Sequence, residues 1–304
     1  MPPGASRTAK GTSVSDHSPK AARGKPVPGL HLVATPIGAA RDITLRALDI
    51  LAGADVLAAE DTRTLRHLME IHGIALQGRP LLAYHDHNGE AMRPRLLAEL
   101  RAGKSLAYAS EAGTPLIADP GYALARAALS EGLAVWAAPG ASAVLCALTV
   151  SGLPSDRFLF AGFLPNRSAA RLQDLRGLAA TPATLIFYES PKRVAATLRD
   201  MATVLGPDRQ AAVCRELTKK FEEVSRGTLA ALAETFASRV VKGEIVVLVD
   251  RGQAENVGQD QIDRALLKAL ETFSVKDAAS EVAESLGLAR RDLYQRALEL
   301  GKDE

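Results

Sequence analysis

Five short polar segments carry most of the chemistry that this chain offers. They are Thr35-Pro36-Ile37-Gly38, Glu60-Asp61-Thr62-Arg63, His85-Asp86-His87-Asn88, Ser110-Glu111-Ala112-Gly113-Thr114-Pro115 and Pro139-Gly140-Ala141-Ser142. Carboxylates and imidazoles can accept a proton, and an arginine can hold an anion. Hydroxyls set among glycines let the backbone come close to a ligand that bears hydroxyl and amine groups. Each segment also has a plain structural reading. Thr-Pro-Ile-Gly and Gly-Thr-Pro suit simple turns, where proline fixes φ and glycine tolerates positive φ. Glu60-Asp61 equally suits a helix N-cap, its charge favoured by the macrodipole, ahead of a helix over 62–72. His85 and His87 share a face if the chain is extended there, which raises a metal reading with Asp86. Asp86 would then point the other way and no third ligand is evident, so no metal is expected.

The segments follow strand-like runs at 30–34, 55–59, 81–84, 105–109 and 134–138, separated by stretches of helical periodicity. Strands alternating with helices predict a mostly parallel sheet covered on both faces, and ligands of such sheets bind beyond the carboxyl ends of the strands. One of the helices has Asp119 as its expected N-cap and Pro120 at its first position. After Gly152-Leu153-Pro154 a second α/β series begins, with runs at 158–162, 184–188, 211–214 and 244–249. The expected organisation is a tail over 1–28, α/β domains over 29–153 and 154–252, and a helical segment over 253–304. Within the last, Val275, Ala278, Ala279, Val282, Ala283 and Leu286 fall on one helix face behind a capping box formed by Ser274 and Asp277. Gly287 ends that helix, and a second runs over 292–300. The pair reads as a helix-turn-helix with Arg290 and Arg291 at its recognition end, or as a helical hairpin packed on the core.

Composition narrows the class further. A chain of 304 residues, 47% hydrophobic, can bury a sizeable core, and its net charge of +2 leaves any grip on a polyanion to local clusters of Lys and Arg. Cys146 and Cys214 stand far apart in apolar runs, which argues for reduced thiols in a cytoplasmic protein. No secretory signal is evident, and Pro139-Gly140 cuts the nearly uncharged stretch 134–153 into a strand and a helix, so no membrane span is expected. Residues 1–28 are rich in Pro, Ser, Gly and Ala and carry five basic residues before Pro26 against Asp16 alone, a composition expected to be disordered. The chain lacks G-x-G-x-x-G after its first strand, G-x-x-x-x-G-K-[ST], H-E-x-x-H and G-x-S-x-G. The residues alone therefore lead to a two-domain α/β enzyme with a cleft and a helical tail.

The order of the motifs goes further. ATPIG (34–38), RDITLRAL (41–48), AAEDTR (58–63), YHDHN (84–88), ASEAGTPLIADPGY (109–122), APGASA (138–143), SGLPSDRFLFAGFLP (151–165), LIFYESPKR (185–193) and CRELTKKFEE (214–223) together resemble the ribosomal small-subunit RNA methyltransferase I family of the tetrapyrrole methylase superfamily. The segment 276–300 resembles the helix-turn-helix piece that members often carry. Ala39 stands where the family commonly has Asn, Glu111 where Asp is usual, Ala141 where Pro is frequent and Lys192 where His is common.

This resemblance implies a tetrapyrrole-methylase-like fold, two α/β domains with a cofactor cleft between them, and a homodimer. It implies S-adenosylmethionine as cofactor, held by Pro36, Ile37, Gly38, Ser110, Glu111, Gly113, Thr114, Pro115, Ala141, Ser142 and Leu164. The implied acceptor is the ribose 2′-hydroxyl of a decoding-region cytidine in 16S rRNA of the small ribosomal subunit. A hydroxyl is a poor nucleophile and gains from a base or a polarising cation. Glu60, Asp61, His85, His87 and Glu216 are candidate bases, and Arg63, Arg193, Lys219 and Lys220 are candidates to hold phosphate or alkoxide. Lys192, Arg193, Lys220, Arg290 and Arg291 are the candidate RNA contacts, although Arg193 and Lys219-Lys220 equally suit solvated helix ends. Two rival readings are another superfamily methyltransferase, acting on a tetrapyrrole or a protein, and a non-catalytic RNA-binding or ribosome-assembly protein.

Overall fold

The computed structural model describes residues 24–251, 259–286 and 290–301. The expectations for residues 1–23, for 252–258 and for the turn at Gly287 lie outside the described residues.

Strands β1 (Gly29–Val33), β2 (Val56–Ala59), β3 (Leu81–Ala83), β4 (Ser105–Ala109) and β5 (Val135–Ala138) form a wholly parallel sheet in the order β3-β2-β4-β1-β5. Parallel pairing needs a crossover between successive strands, and helices α1 (Leu45–Gly53), α2 (Thr62–Ile71), α3 (Gly89–Arg101) and α4 (Gly121–Ser130) supply them. The central strands β2 and β4 are buried along their whole length, which is why they read as unbroken apolar runs. Leu51, Leu57, Leu65, Met69 and Ala107 fill one side of this sheet. Local caps set the helix starts: the Thr44 hydroxyl accepts from the Ala47 amide at α1, and Asp61 accepts from the Arg63 amide at α2. At α4 the expectation is corrected. Pro120 occupies the N-cap position without a side-chain bond, and Asp119 instead accepts from the Leu116 amide at 3.3 Å. Leu116 and Ala118 adopt left-handed backbones there, so that turn has its own amide to satisfy.

The second sheet contains β6 (Phe158–Phe163), β7 (Thr184–Glu189), β8 (Gln210–Arg215), β9 (Glu223–Thr228) and β10 (Ile245–Val249) in the order β6-β7-β10-β8-β9. Only β6 and β7 pair in parallel; the other neighbours are antiparallel. Helices α6 (Ser168–Leu178), α7 (Val194–Leu205) and α8 (Leu229–Ala237) bring Leu175, Leu198, Met201, Leu232 and Phe236 onto one face, against Leu185, Phe187, Val213 and Val247. Helix α5 (Ala143–Ser151) brings Val144, Ala147 and Leu148 to a cluster with Ile186, Ala212, Cys214 and Leu248 from the other face.

That packing moves the domain division. The chain separates into two compact units, one holding the first sheet and the other holding Ala34–Asp42, Ala112–Asp119 and the described residues from Gly140 onward. The division expected near Pro154 therefore falls earlier, because the apolar face of α5 is buried with the second sheet. Loops after β1 and β4 also belong to the second unit.

The tail is a three-helix unit, α9 (Gln259–Leu270), α10 (Val275–Leu286) and α11 (Arg290–Leu300), with Leu266, Ala279, Val282, Leu293 and Ala297 at its centre. Ser274 caps α10: its hydroxyl accepts from the Asp277 amide at 3.3 Å and donates to the Asp277 carboxylate at 2.7 Å, so the N-cap half of the expected box is formed. Helix α9 falls within the helical segment expected over 253–304, though only the later two helices were delimited there, and its Leu266 joins their core. Among the described residues no helix is long and apolar enough to cross a membrane.

Candidate functional site

In the second unit the loops that follow β1, β4 and β5 are tied to one another by short-range geometry. Thr35 and Gly113 exchange both backbone hydrogen bonds at 3.0 Å, and the Thr114 hydroxyl donates to the Ala141 carbonyl at 2.9 Å. Ile37 and Leu217 are buried in the α5 cluster, with Ala141 packed against it; Pro115 is buried too and Pro36 half-buried. Gly113 has φ +82°, and a Cβ there would lie 3.2 Å from the Ile37 methyl, so conformation and space both favour glycine. At Gly140 a Cβ would lie 2.8 Å from the Ala34 Cβ. Ser142 is the N-cap residue of α5 and its side chain makes no cap bond. The first amides of α5 thus adjoin a spare hydroxyl and two glycine-lined loops, a donor set that suits a small zwitterion with a carboxylate and hydroxyls.

The β8–β9 hairpin loop closes on this group. A Cβ on Gly38 would lie 2.5 Å from the Lys219 Cγ and 2.6 Å from the Thr218 hydroxyl, and the Ala39 amide donates to that hydroxyl at 3.1 Å. Glu216 and Thr218 hold left-handed backbones, with φ 52° and 63°. The conformation is secured by Glu216, whose carboxylate accepts from the Glu244 amide at 3.0 Å and from Lys219 at 2.9 Å. The Glu244 amide, followed by Lys219, holds the Glu216 carboxyl below its ordinary value. Partial burial works against the charge on Lys219, yet bonds to Glu244 and Glu216 keep its pKa above the lysine value. Both are therefore charged partners of each other at neutral pH. Leu164, at the end of β6, is buried, and its carbonyl accepts from Arg193 at 2.8 Å.

In the first unit, Asp61 is the N-cap of α2 and its carboxylate also accepts from the Arg63 guanidinium at 2.7 Å and 3.2 Å. The Arg63 side chain, then its amide, holds the Asp61 carboxyl down to about 2. A carboxylate so stabilised is a poor base, and Arg63 already has an anionic partner. Glu60 is half-buried beside it. Strand β3 stops at Ala83, so His85 and His87 lie in a turn rather than on an extended face, with ring centroids 6.0 Å apart. Asn88 builds that turn, accepting from the His85 amide and donating to the Ala83 carbonyl. His87 is exposed; His85 is half-buried, and its Nδ1 is enclosed without a hydrogen-bond partner. Among the described residues no group of three His, Cys, Asp or Glu could hold a metal ion. Ser110 is buried at the end of β4 and Glu111 is exposed.

The candidate RNA contacts divide sharply. Lys192, Lys220, Arg290 and Arg291 are exposed, Lys220 lying 5.5 Å from the Phe221 ring centroid. Arg193 is corrected to an internal clamp. Its guanidinium donates to the Leu164 and Pro165 carbonyls, to Asn166 and to Glu189, whose nearly inaccessible carboxylate also accepts from Thr197 at 2.6 Å. The sequence reading missed Thr218 and Asn88, which place the Gly38 loop and the histidine turn. Both lie inside the quoted motifs, but an uncharged side chain whose bonds go to backbone amides offers no signal of its own.

Residues 29–233 match the family of Tetrapyrrole (Corrin/Porphyrin) Methylases, and residues 256–301 match the RsmI C-terminal HTH domain. The chain is 52% identical to the Ribosomal RNA small subunit methyltransferase I of Mesorhizobium japonicum, over 90% of this chain and 92% of that protein. With the protein of that name from Xylella fastidiosa the identity is 47%, covering 87% of this chain and 97% of that one. Among solved structures it is similar to uroporphyrin-III C-methyltransferase from Thermus thermophilus complexed with S-adenyl homocysteine. There the TM-score is 0.52 at 21% identity, over 72% of this chain and 96% of that chain.

Proposed function

The chain belongs to the ribosomal RNA small subunit methyltransferase I family of tetrapyrrole methylases, and from that premise we propose that it methylates a ribose 2′-hydroxyl in 16S rRNA. The acceptor is a decoding-region cytidine and the methyl donor is S-adenosylmethionine. What carries the reading is the reach of the kinship, which takes in both sheets and the helical tail. The enzyme works as a homodimer in the cytoplasm.

S-adenosylmethionine supplies an electrophilic methyl group on a sulfonium, so the protein's share is alignment, exclusion of water and management of one proton. Pro36, Ile37 and Gly38, Gly113 to Pro115, Ala141 and Ser142 hold the donor, with Leu164 completing its surroundings. The tied loops and the glycines at 38, 113 and 140 support this, because they leave backbone room that a side chain would fill. His85 takes the proton of the attacking hydroxyl. It is favoured over Asp61 and Glu216, which are held as low-pKa carboxylates by their own partners. Lys192, Lys220, Arg290 and Arg291 meet phosphates. With these cations dispersed and a net charge of +2, an assembled subunit should be a better substrate than free RNA, since it presents them with a fixed shape.

The test is mass spectrometry of nuclease-digested small-subunit RNA from a strain lacking the gene. The reading expects loss of one 2′-O-methylcytidine, restored by the gene in trans. An unchanged signal, or loss of a base methylation instead, overturns it, and transfer of labelled methyl to a protein or a tetrapyrrole would replace it.

A further inference from the structure

One surface of the second unit has a construction that methyl-donor binding does not require. Strand β6 pairs in parallel with β7, Phe160 opposite Ile186, and then Phe163 opposite Tyr188. Three residues of β6 thus span what two residues of β7 span, so one extra residue is inserted as a bulge. Gly162 sits in it with φ +68°. On a regular strand Phe163 would point away from Phe160, because side chains three apart alternate to opposite faces. The bulge reverses this. Phe160 and Phe163 both meet Tyr188 edge-on, with ring centroids 4.8 Å and 5.5 Å from it. Phe160 and Tyr188 are packed into the cluster that also holds Ile37 and Ala141, whereas Phe163 remains 59% exposed. Its position is rigidly supported. The next residue, Leu164, is held through its carbonyl by Arg193, which also binds Glu189 beside Tyr188. Lys192, exposed, follows the same end of β7.

We propose that Phe163, turned onto Tyr188 by the bulge, is the platform on which an unpaired nucleobase of the RNA substrate stacks. This rests on the reading of the chain as an RNA methyltransferase and adds to it a substrate-binding residue. An aromatic face open to solvent stacks on any base, and the single-stranded nucleotides of structured RNA are recognised in this way. The platform shares its sheet face with Ile37 and Ala141 of the donor loops, so a stacked base lies on the side of the sheet where methyl transfer occurs. Lys192 supplies charge for the adjoining phosphate.

The experiment uses full-length protein and small subunits from a strain lacking the gene, with Phe163→Leu, Phe163→Ala and Phe163→Trp beside the wild type. Leucine keeps apolar bulk and removes the π face. Leu and Ala should raise KM for subunits by about ten-fold or more, while Trp stays near wild type. Affinity for S-adenosylmethionine, melting temperature and sedimentation should not change. If wild type transfers no methyl to RNA, the functional reading itself fails. If wild type is active and Leu and Ala leave KM within two-fold, the stacking proposal is wrong. A weakened cofactor affinity would assign Phe163 to the donor, and a changed sedimentation coefficient would assign it to a contact between subunits; either overturns the proposal.

Discussion

Replacing Gly38 with alanine tests whether the loop after β1 is locked by the β8–β9 hairpin. Nothing in its backbone forbids alanine, since Gly38 is not among the residues with positive φ. The obstacle is space. The new Cβ would lie 2.5 Å from the Lys219 Cγ and 2.6 Å from the Thr218 hydroxyl, where unstrained carbon contacts are about 3.5–4.0 Å. Neither neighbour yields freely. Thr218 is β-branched and accepts the Ala39 amide, and Lys219 is fastened at its far end to Glu216 and Glu244. Overpacking of this kind costs roughly 1–3 kcal/mol, and a lost hydrogen bond adds about 1 kcal/mol. If the loop relieves about 2–4 kcal/mol by moving and must return to hold the donor, affinity for S-adenosylmethionine falls at least about 30-fold. Calorimetric titration measures this, with thermal melting as the control for folding. The double variant with Lys219→Ala removes one of the two overlaps and should recover part of the loss. A Gly38→Ala protein that binds the donor within two-fold of wild type would refute the lock.

Three further outcomes are expected. Arg193→Ala should destabilise the fold by about 3 kcal/mol or more in urea melts, because it strands the buried Glu189 carboxylate, whereas Lys192→Ala should stay within about 0.5 kcal/mol; equal effects would undo the distinction between clamp and surface cation. Asp61 has its carboxyl lowered from 3.8 to about 2, so its charge favours the folded state above the unfolded value and that contribution is lost as pH falls through the folded one. The stability gap between wild type and Asp61→Asn should therefore narrow from about pH 5 to pH 3, and a constant gap would show that the ion pair with Arg63 does not persist in solution. Changing both Arg290 and Arg291 to Ala should make the slope of log RNA affinity against log salt shallower by about 1–2, and an unaltered slope would remove them from the phosphate contacts.

The first sheet was legible because its central strands β2 and β4 are buried along their whole length and its helices carry conventional punctuation. The run from Leu106 to Ala109 carries no charge, and Pro139-Gly140 separates a strand from a helix. Strand β9 was not legible. Glu223–Thr228 lies at the edge of its sheet, turns Val224 alone toward the α5 cluster and otherwise consists of half-buried polar residues, an exposed Arg226 and a glycine, so it has neither an apolar run nor a clean alternation. The division into units was misplaced for a related reason. Helix α5, AVLCALTVS, is apolar nearly all round, and which sheet it covers depends on partners such as Cys214 and Leu248, far along the chain.

At the site, residue type conveyed charge and reach but not the partner that absorbs them. Lys192 and Arg193 are adjacent and look interchangeable as phosphate contacts, yet one faces solvent and the other binds three carbonyl oxygens and a buried carboxylate. The difference follows from chemistry that the sequence leaves implicit: a guanidinium offers five donors in a fixed fork, enough to satisfy the loop after β6 and Glu189 at once, while an ammonium is a point charge that stays hydrated. Asp61 and Glu216 repeat the lesson from the acidic side, each an apparent base until its amide and cation partners are found. A charged residue is available for catalysis or recognition only when the nearby orphan groups of the backbone are already met by something else. By that criterion the exposed Lys192, Lys220, Arg290 and Arg291 are the cations of the original set open to an RNA phosphate, and Phe163 is proposed beside them although no charge pointed to it.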